Sequence, residues 1–439
     1  MNNRSSWVQI FGVRALLILA AVCLSQSARA QLRVEITQGV VDPIPVAIVP
    51  FGAAGLDPGL DVAGVVQHDL ESSGRFRAMA RSAMRSQPAR ASDVQTAEWR
   101  AAGNDYVLVG RVNAVDGGFN VGCDLINSYT GQLMGTWQVS ANAATLRNGA
   151  HRISDFVYEK LLGARGAFAT RIAYVAVTGE PPRQHFELKV ADADGENPKV
   201  ILTSDQPIMS PAWSADGEWL AYVSFENHIS SIYVQRVRNA ERHMVSARAG
   251  VNGAPAWSPD GKHLALALSG SNGNLDIYDL DLATQMLTRL TDNPAIDTEP
   301  AWSQDGKQIY FTSDRSGGPE IYRLDVANPQ HVQRMTFGSS YNARVRLSPD
   351  GKQLAFVTRE GSDYRIAIQD VASGSMRVLS SGRLDESPSF APNGMTLIYS
   401  SRQGATGVLA TVSADGLVTQ RLNSTEGEVR EPVWGPFAP

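Results

Sequence analysis

A seven-residue motif that keeps returning through the second half of the chain constrains the fold more than any other feature. Pro211-Ala-Trp-Ser-Ala-Asp-Gly217 comes back as Pro255-Ala-Trp-Ser-Pro-Asp-Gly261 and Pro300-Ala-Trp-Ser-Gln-Asp-Gly306. Val345-Arg-Leu-Ser-Pro-Asp-Gly351 and Pro388-Ser-Phe-Ala-Pro-Asn-Gly394 are weaker copies, and Pro432-Val-Trp-Gly-Pro436 is a truncated sixth. Successive first positions lie 44, 45, 45, 43 and 44 residues apart. A period of about 40 to 45 residues with strand-like content means one four-stranded blade per repeat.

The interior of each repeat agrees. Asp-Gly or Asn-Gly supplies the positive φ that a tight hairpin demands. An apolar strand follows, as in Leu220-Ala-Tyr-Val223, Ile309-Tyr-Phe-Thr312 and Leu397-Ile-Tyr-Ser400, and then a third and a fourth. Ile172-Ala-Tyr-Val175 is a post-turn strand with no Pro-Ala-Trp before it, whereas Pro432-Val-Trp434 has no post-turn strand after it. The two halves make one blade and close a ring of six, which removes the sheet edges that invite aggregation. Pro at the head of the motif cannot donate to a ladder, so it belongs on an edge strand, here the innermost one lining the channel. The aromatic two residues on (Trp213, Trp257, Trp302, Phe390, Trp434, with Leu347 as the exception) is expected to wedge between blades.

The chain before the repeats has three parts. Residues 1–30 read as a secretory signal peptide: Arg4 and Arg14, an apolar run from Ala15 to Leu24, and the small-residue site Ala28-Arg29-Ala30. That run is shorter than the roughly 20 residues of a membrane span. Residues 31–41 form an N-terminal segment in which apolar and polar residues alternate, a pattern suited to strand addition. Residues 42–165 read as an α/β domain. Strands are expected at Val46 to Pro50, Tyr106 to Val112, Asn120 to Ile126 and Leu133 to Ser140. Helices are expected at Asp61 to Ser73, Thr96 to Ala102 and Arg147 to Leu162. The whole is an α/β N-terminal domain followed by an all-β six-bladed β-propeller over 166–439.

Charge and composition exclude several functions. The formal charge of −5 becomes −8 once Arg4, Arg14 and Arg29 leave with the signal peptide. A mildly acidic chain without basic clusters is a poor match for nucleic acid or anionic lipid. Only Cys123 remains after cleavage, so no intrachain disulfide forms, and it reads as a buried apolar residue. There is no Gly-x-Ser-x-Gly nucleophile elbow, no His-Glu-x-x-His and no phosphate-cradling Gly loop, and the seven histidines are scattered. No catalytic residue and no cofactor is assigned. Acids do gather in the loops leading to the innermost strands: Asp297 and Glu299, Asp385 and Glu386, Glu428 and Glu431. Glu299, Glu386 and Glu431 form the one candidate cation set, since hard cations prefer clustered oxygen ligands; a solvated acidic rim is the competing reading.

Ile44-Pro-Val-Ala-Ile-Val-Pro-Phe51, Gly163-Ala-Arg-Gly-Ala-Phe168, Asn252-Gly-Ala-Pro-Ala-Trp-Ser-Pro-Asp-Gly261 and Leu384-Asp-Glu-Ser-Pro-Ser-Phe-Ala-Pro-Asn-Gly394 together resemble the TolB family, the propeller component of the Tol-Pal envelope system. The resemblance implies a periplasmic, non-enzymatic protein with two partners, supporting outer-membrane integrity and constriction at division. Pal, the peptidoglycan-associated lipoprotein, would meet Val251, Ala254, Asp297, Thr298, Glu299, Asp385 and Glu386. The family's contact histidine falls at Val251 here, so an imidazole bond to Pal is not expected. TolA would meet Leu32, Arg33, Val34, Glu35 and Ile36. The chain is expected to be monomeric and not inserted in a membrane. An exported propeller hydrolase using channel acids is the alternative, and it would need a paired acid and base, one with a raised pKa.

Overall fold

β1 (Ile44–Ile48) stands at the centre of the first layer because both of its faces are apolar. Val46 and Ile48 pack with one helix pair, whereas Ala47 and Val49 pack on the opposite side, the signature of a doubly covered parallel strand. The computed structural model describes residues 43–53, 57–422 and 427–438. The signal segment and residues 31–41, including Leu32, Arg33, Val34, Glu35 and Ile36, lie outside the described residues.

The other strands of this sheet are β2 (Phe76–Ala78), β3 (Tyr106–Val115), β4 (Gly118–Asn127) and β5 (Leu133–Ala141), in spatial order β2-β1-β3-β4-β5. β1 runs parallel to β2 and β3, and β3-β4-β5 is an antiparallel meander. Helices α1 (Val62–Ser72) and α3 (Leu146–Leu162) cover one face, burying Val62, Val66, Leu70, Ile153 and Val157. The short α2 (Thr96–Ala101) seats Trp99 on the other. Asp61 caps α1 by accepting from the Gly64 amide at 2.9 Å. Gly163 ends α3 at φ 72°, a left-handed cap that glycine adopts without cost. The sequence offers no pattern for β2, because three residues are too few to show alternation.

The propeller is six antiparallel four-stranded sheets. Blade 1 joins both ends of the repeat region: Arg171–Thr178, His185–Asp192 and Lys199–Ser204, with Glu428–Trp434 as its innermost strand. The register runs from Glu428↔Val177 to Trp434↔Ile172, so the last strand of the chain closes the ring as expected. Blades 2 to 6 follow in order, with innermost strands Ile208–Trp213, Asn252–Trp257, Asp297–Trp302, Asn342–Leu347 and Glu386–Phe390.

Two devices repeat around the ring. The tryptophans wedge between blades and donate backward: Trp213 Nε1 to the Val433 carbonyl, Trp257 to Ala212 and Trp302 to Ala256, each at 3.2 Å. In the hairpin after each, the serine hydroxyl binds the aspartate and accepts from the amide five residues on, as Ser258 does with Asp260 and His263. That is why Ser-x-Asp-Gly recurs as a unit. Between blades the core is continuous: Ala355, Val357, Ile366 and Ile368 of blade 5 pack on Leu397, Tyr399 and Val412 of blade 6. Among the described residues, no helix is long and apolar enough to cross a membrane.

Because the ring closes through one strand, removing residues 428–439 leaves the Arg171–Thr178 edge unpaired. The truncated protein is expected to lose cooperative thermal unfolding and to self-associate. An unchanged melting temperature after truncation contradicts this role for the strand.

Candidate binding face

The strands of each blade alternate in direction, so the loops divide into two sets. One face carries the turns after the first and third strands. The other, the mouth face, carries the loops that lead into the innermost strands and those between second and third strands. The α/β domain packs on the turn face at blades 6 and 1. Arg75 pairs with Asp415 in a turn of blade 6, Arg147 pairs with Asp194 in a turn of blade 1, and the Asn393 side-chain amide donates to the Arg165 carbonyl at 3.1 Å. The mouth face is where the expected partner-binding residues fall.

At the mouth, the backbone of every innermost strand bends in the same way. Ser210, Ala254, Glu299, Arg344, Ser387 and Glu431 all have φ between 47° and 60°, and each stands just before the first residue of its repeat. The ladder slips at each of these points, which is a β-bulge. A left-handed residue other than glycine is strained, and six at equivalent positions mark a shaped rim. The bend frees amides from the ladder. The Glu431 carboxylate accepts the Ser210 amide of the next blade, and Glu299 Oε2 accepts the Arg344 amide of its neighbour at 2.9 Å.

This geometry corrects the cation reading of Glu299, Glu386 and Glu431. Glu299 also takes the Thr312 hydroxyl at 3.0 Å and the Arg344 guanidinium at 3.1 Å. Arg344 and Arg346 place positive charge in the same channel. Burial alone would lower Arg344, but Glu299, Glu431 and Glu386 outweigh it and hold it above its usual value. The Glu431 carboxylate already holds a backbone amide, and that of Glu299 an amide, a hydroxyl and an arginine, so the three acids do not offer a cluster of free oxygens to a cation. Among the described residues, three possible ligand atoms converge only at Asp69, His151 and Asp194, which lie at the domain junction.

Asp297 and Asp385 also need correction. Both are 0% exposed, so neither presents its side chain to a partner. Asp297 is bound by the Arg315 guanidinium through both oxygens, at 2.9 and 2.8 Å. Asp385 accepts from the Gly382 amide at 2.9 Å and from the Ser401 hydroxyl. They belong to a set of buried pins with Asn252 and Asn342, each three residues before the first residue of its repeat. Asn252 ties Ser246 and Arg248 together, and the Asn342 amide donates to Glu320. These four hold the mouth loops in place. Val251, Ala254, Thr298, Glu299 and Glu386 remain at least partly exposed on the same face. Val251 (47%), Ile296 (48%) and Phe337 (66%) add apolar surface beside the rim.

The junction holds serine, histidine and aspartate, yet not as a catalytic triad. The Ser154 hydroxyl donates to Asp69 at 2.6 Å, and His151 Nδ1 also meets Asp69, at 2.8 Å. In a triad the imidazole stands between the other two and bonds the nucleophile; here the carboxylate does. Burial would lower His151, but Asp69, Asp192 and Asp194 outweigh it and raise the imidazole to about 10. A group protonated at neutral pH cannot serve as a base. Cys123 is buried, and its thiol is pushed up to about 12 by burial first and by Asp124, so it is no nucleophile either.

Fold and face together define a propeller protein: a six-bladed ring with an α/β domain on one face and a bent, partly apolar rim on the other. Sequence comparison then gives the family. The model of the TolB beta propeller domain matches residues 158–438, and that of the TolB amino-terminal domain matches residues 32–134. "Tol-Pal system protein TolB" of Thioalkalivibrio sulfidiphilus is 48% identical over 429 residues, 97% of this chain and 98% of that one. The protein of the same name from Methylococcus capsulatus is 49% identical over 424 residues, 96% and 97% of the two chains. The crystal structure of TolB from Acinetobacter baumannii superposes with a TM-score of 0.85 at 41% identity, covering 93% of this chain and 100% of that one. The chain belongs to the TolB family.

The pin at Asp297 is open to test. Arg315→Ala leaves a buried carboxylate unpaired and is expected to cost about 3–5 kcal/mol, read by denaturant unfolding. A loss under about 1 kcal/mol, the range of an exposed pair, contradicts the assignment.

Proposed function

We propose that this protein is a periplasmic, non-enzymatic component of the Tol-Pal system that joins two partners. It binds Pal through the mouth face and TolA through residues 31–41, which supports outer-membrane integrity and constriction during division. One observation carries the Pal assignment: the mouth face is bent at the same point in all six innermost strands, and buried polar side chains pin its loops while apolar side chains stay exposed beside them. Loops held on a rigid scaffold are where binding commonly resides, and little ordering entropy remains to be lost on docking.

Val251, Ala254, Thr298, Glu299 and Glu386 are the proposed contacts, with Ile296 and Phe337 added from their exposure. Asp297 and Asp385 act beneath them as positioning residues. Val251 presents a branched apolar side chain where the family has a histidine, so contact there is by packing. For TolA, the alternation of Leu32, Val34 and Ile36 with Arg33 and Glu35 favours strand addition, in which main-chain bonds give affinity and alternate side chains give specificity. The export signal and the family support a periplasmic location.

Val251→Arg and Thr298→Arg are expected to weaken Pal binding tenfold or more, about 1.4 kcal/mol, without a change in melting temperature. Removing residues 31–41 is expected to abolish TolA binding and to leave Pal binding intact. Calorimetry with each purified partner checks both. Pal affinity kept within a factor of about two (roughly 0.4 kcal/mol) in both Arg variants moves the site elsewhere, and TolA binding retained after the deletion removes that assignment.

A further inference from the structure

The domain junction buries more opposed charge than partner binding at the mouth requires. α3 presents Arg147, His151, Ser154 and Asp155 along one side, at the i, i+4, i+7 and i+8 spacing of a helix face. Asp69 reaches the same point from α1. From the propeller come Asp192, at the end of the His185–Asp192 strand of blade 1, and Asp194 in the turn that follows. His151 is 1% exposed; its Nδ1 holds Asp69, and its Nε2 lies 3.8 Å from Asp192 and 3.9 Å from Asp194. Those two distances are too long for hydrogen bonds, so the attraction across the junction is through space. Arg147 reaches Asp192 at 3.3 Å and also pairs with Asp194. Two cations thus stand among three carboxylates, one from the α/β domain and two from the propeller. A metal ion does not suit the site, because Arg147 and a protonated imidazole already hold the oxygens.

The connection between the domains is built to turn beside this cluster. Gly163 is left-handed, and a Cβ on Gly166 would come within 2.5 Å of Asp155 Oδ1. Asp155 accepts the amides of Phe168 at 2.8 Å and Ala169 at 3.3 Å, and Phe168 packs edge-on against Tyr158. The Arg75–Asp415 contact to blade 6 is partly exposed on both sides, where screening weakens an ion pair.

We propose that the Asp69–His151–Arg147 group of the α/β domain and Asp192–Asp194 of blade 1 form an ionic latch. Closed, it makes the domain and the propeller one rigid body; opened, it lets the domain swing about residues 163–170. Breaking one partner of a buried charge group is costly because the others are left uncompensated, whereas the intact group adds little net stability over apolar packing. Such a group fixes geometry, here the orientation of the domain. His151 is faced by Asp69 from α1, by Arg147 and Asp155 from α3, and by Asp192 and Asp194 from blade 1. Its imidazole is raised from its usual 6.5 to about 10. The His151 share of the closing force is therefore complete below about 6.5 and is lost as pH rises through about 10, which leaves Arg147 alone to hold Asp192 and Asp194.

The test uses the mature chain with spin labels at Tyr129→Cys and Met286→Cys, both exposed, Cys123 being buried. Pulsed dipolar spectroscopy is expected to give a narrow distance distribution that broadens above pH 10. Asp194→Arg is expected to broaden it at neutral pH, and Asp415→Asn is expected to leave it narrow. The milder Asp194→Asn removes a negative charge beside the imidazole, so its broadening is expected at lower pH than in the unsubstituted protein. Circular dichroism checks that each variant folds; if Asp194→Arg does not, Asp194→Asn and the pH profile decide. A distribution that stays narrow in Asp194→Asn at every pH overturns the latch. So does equal broadening in Asp415→Asn, which would place the docking at blade 6.

Discussion

The pairing of Glu428–Trp434 with Arg171–Thr178 is the constraint on which the rest of the molecule depends. Without that strand blade 1 would keep three of its four strands, the Arg171–Thr178 edge would be unpaired, and edges template association. Once closed, each blade is packed on both sides, and an innermost strand cannot shift without moving its neighbours. That rigidity makes the six strained residues at the mouth tolerable. A left-handed Ala254 or Glu299 costs energy locally, and the strain persists only because packing around it leaves no alternative. Closure also fixes the distance between blades, which lets Glu431 reach the Ser210 amide and Glu299 reach that of Arg344.

The two faces of the ring solve different problems. At the mouth, buried polar pins such as Asn252 and Asp297 hold short loops whose outer atoms stay available, and Glu299 and Glu431 link neighbouring blades across the channel. At the turn face, charge of both signs is buried against the α/β domain, where no partner is needed for compensation. The first arrangement leaves a shaped, partly apolar surface exposed. The second sets how one domain stands on the other. The closest approach to catalytic composition, Ser154 with His151 and Asp69, belongs to the second and is connected in the wrong order for chemistry.

Much of this was legible in the sequence, and the reasons for the misses are physical. Blade number, ring closure and the wedged tryptophans follow from period and strand order, which any register of the repeat must obey. α1 and α3 were legible because their apolar spacing and the Asp61 and Gly163 caps agree. The left-handed rim was not, since serine, alanine, glutamate and arginine all occupy it and none announces positive φ. Asp297 and Asp385 read as solvated because acids in loops usually are. The signal against that was available: both fall three residues before the first residue of the repeat, where Asn252 and Asn342 also stand. The His151 cluster was hidden because its members come from positions 69 to 194 and meet only in three dimensions.

The central claim is the proposal that a partner docks on the mouth face of the ring and not on its turn face. Hydrogen–deuterium exchange with and without Pal tests it most directly. The account predicts slowed exchange in the loops around residues 249–254, 294–299 and 382–387, with the turns at 214–217, 258–261 and 303–306 unchanged. Protection of those turns or of the β1–β5 sheet, with the mouth loops unaffected, would contradict it.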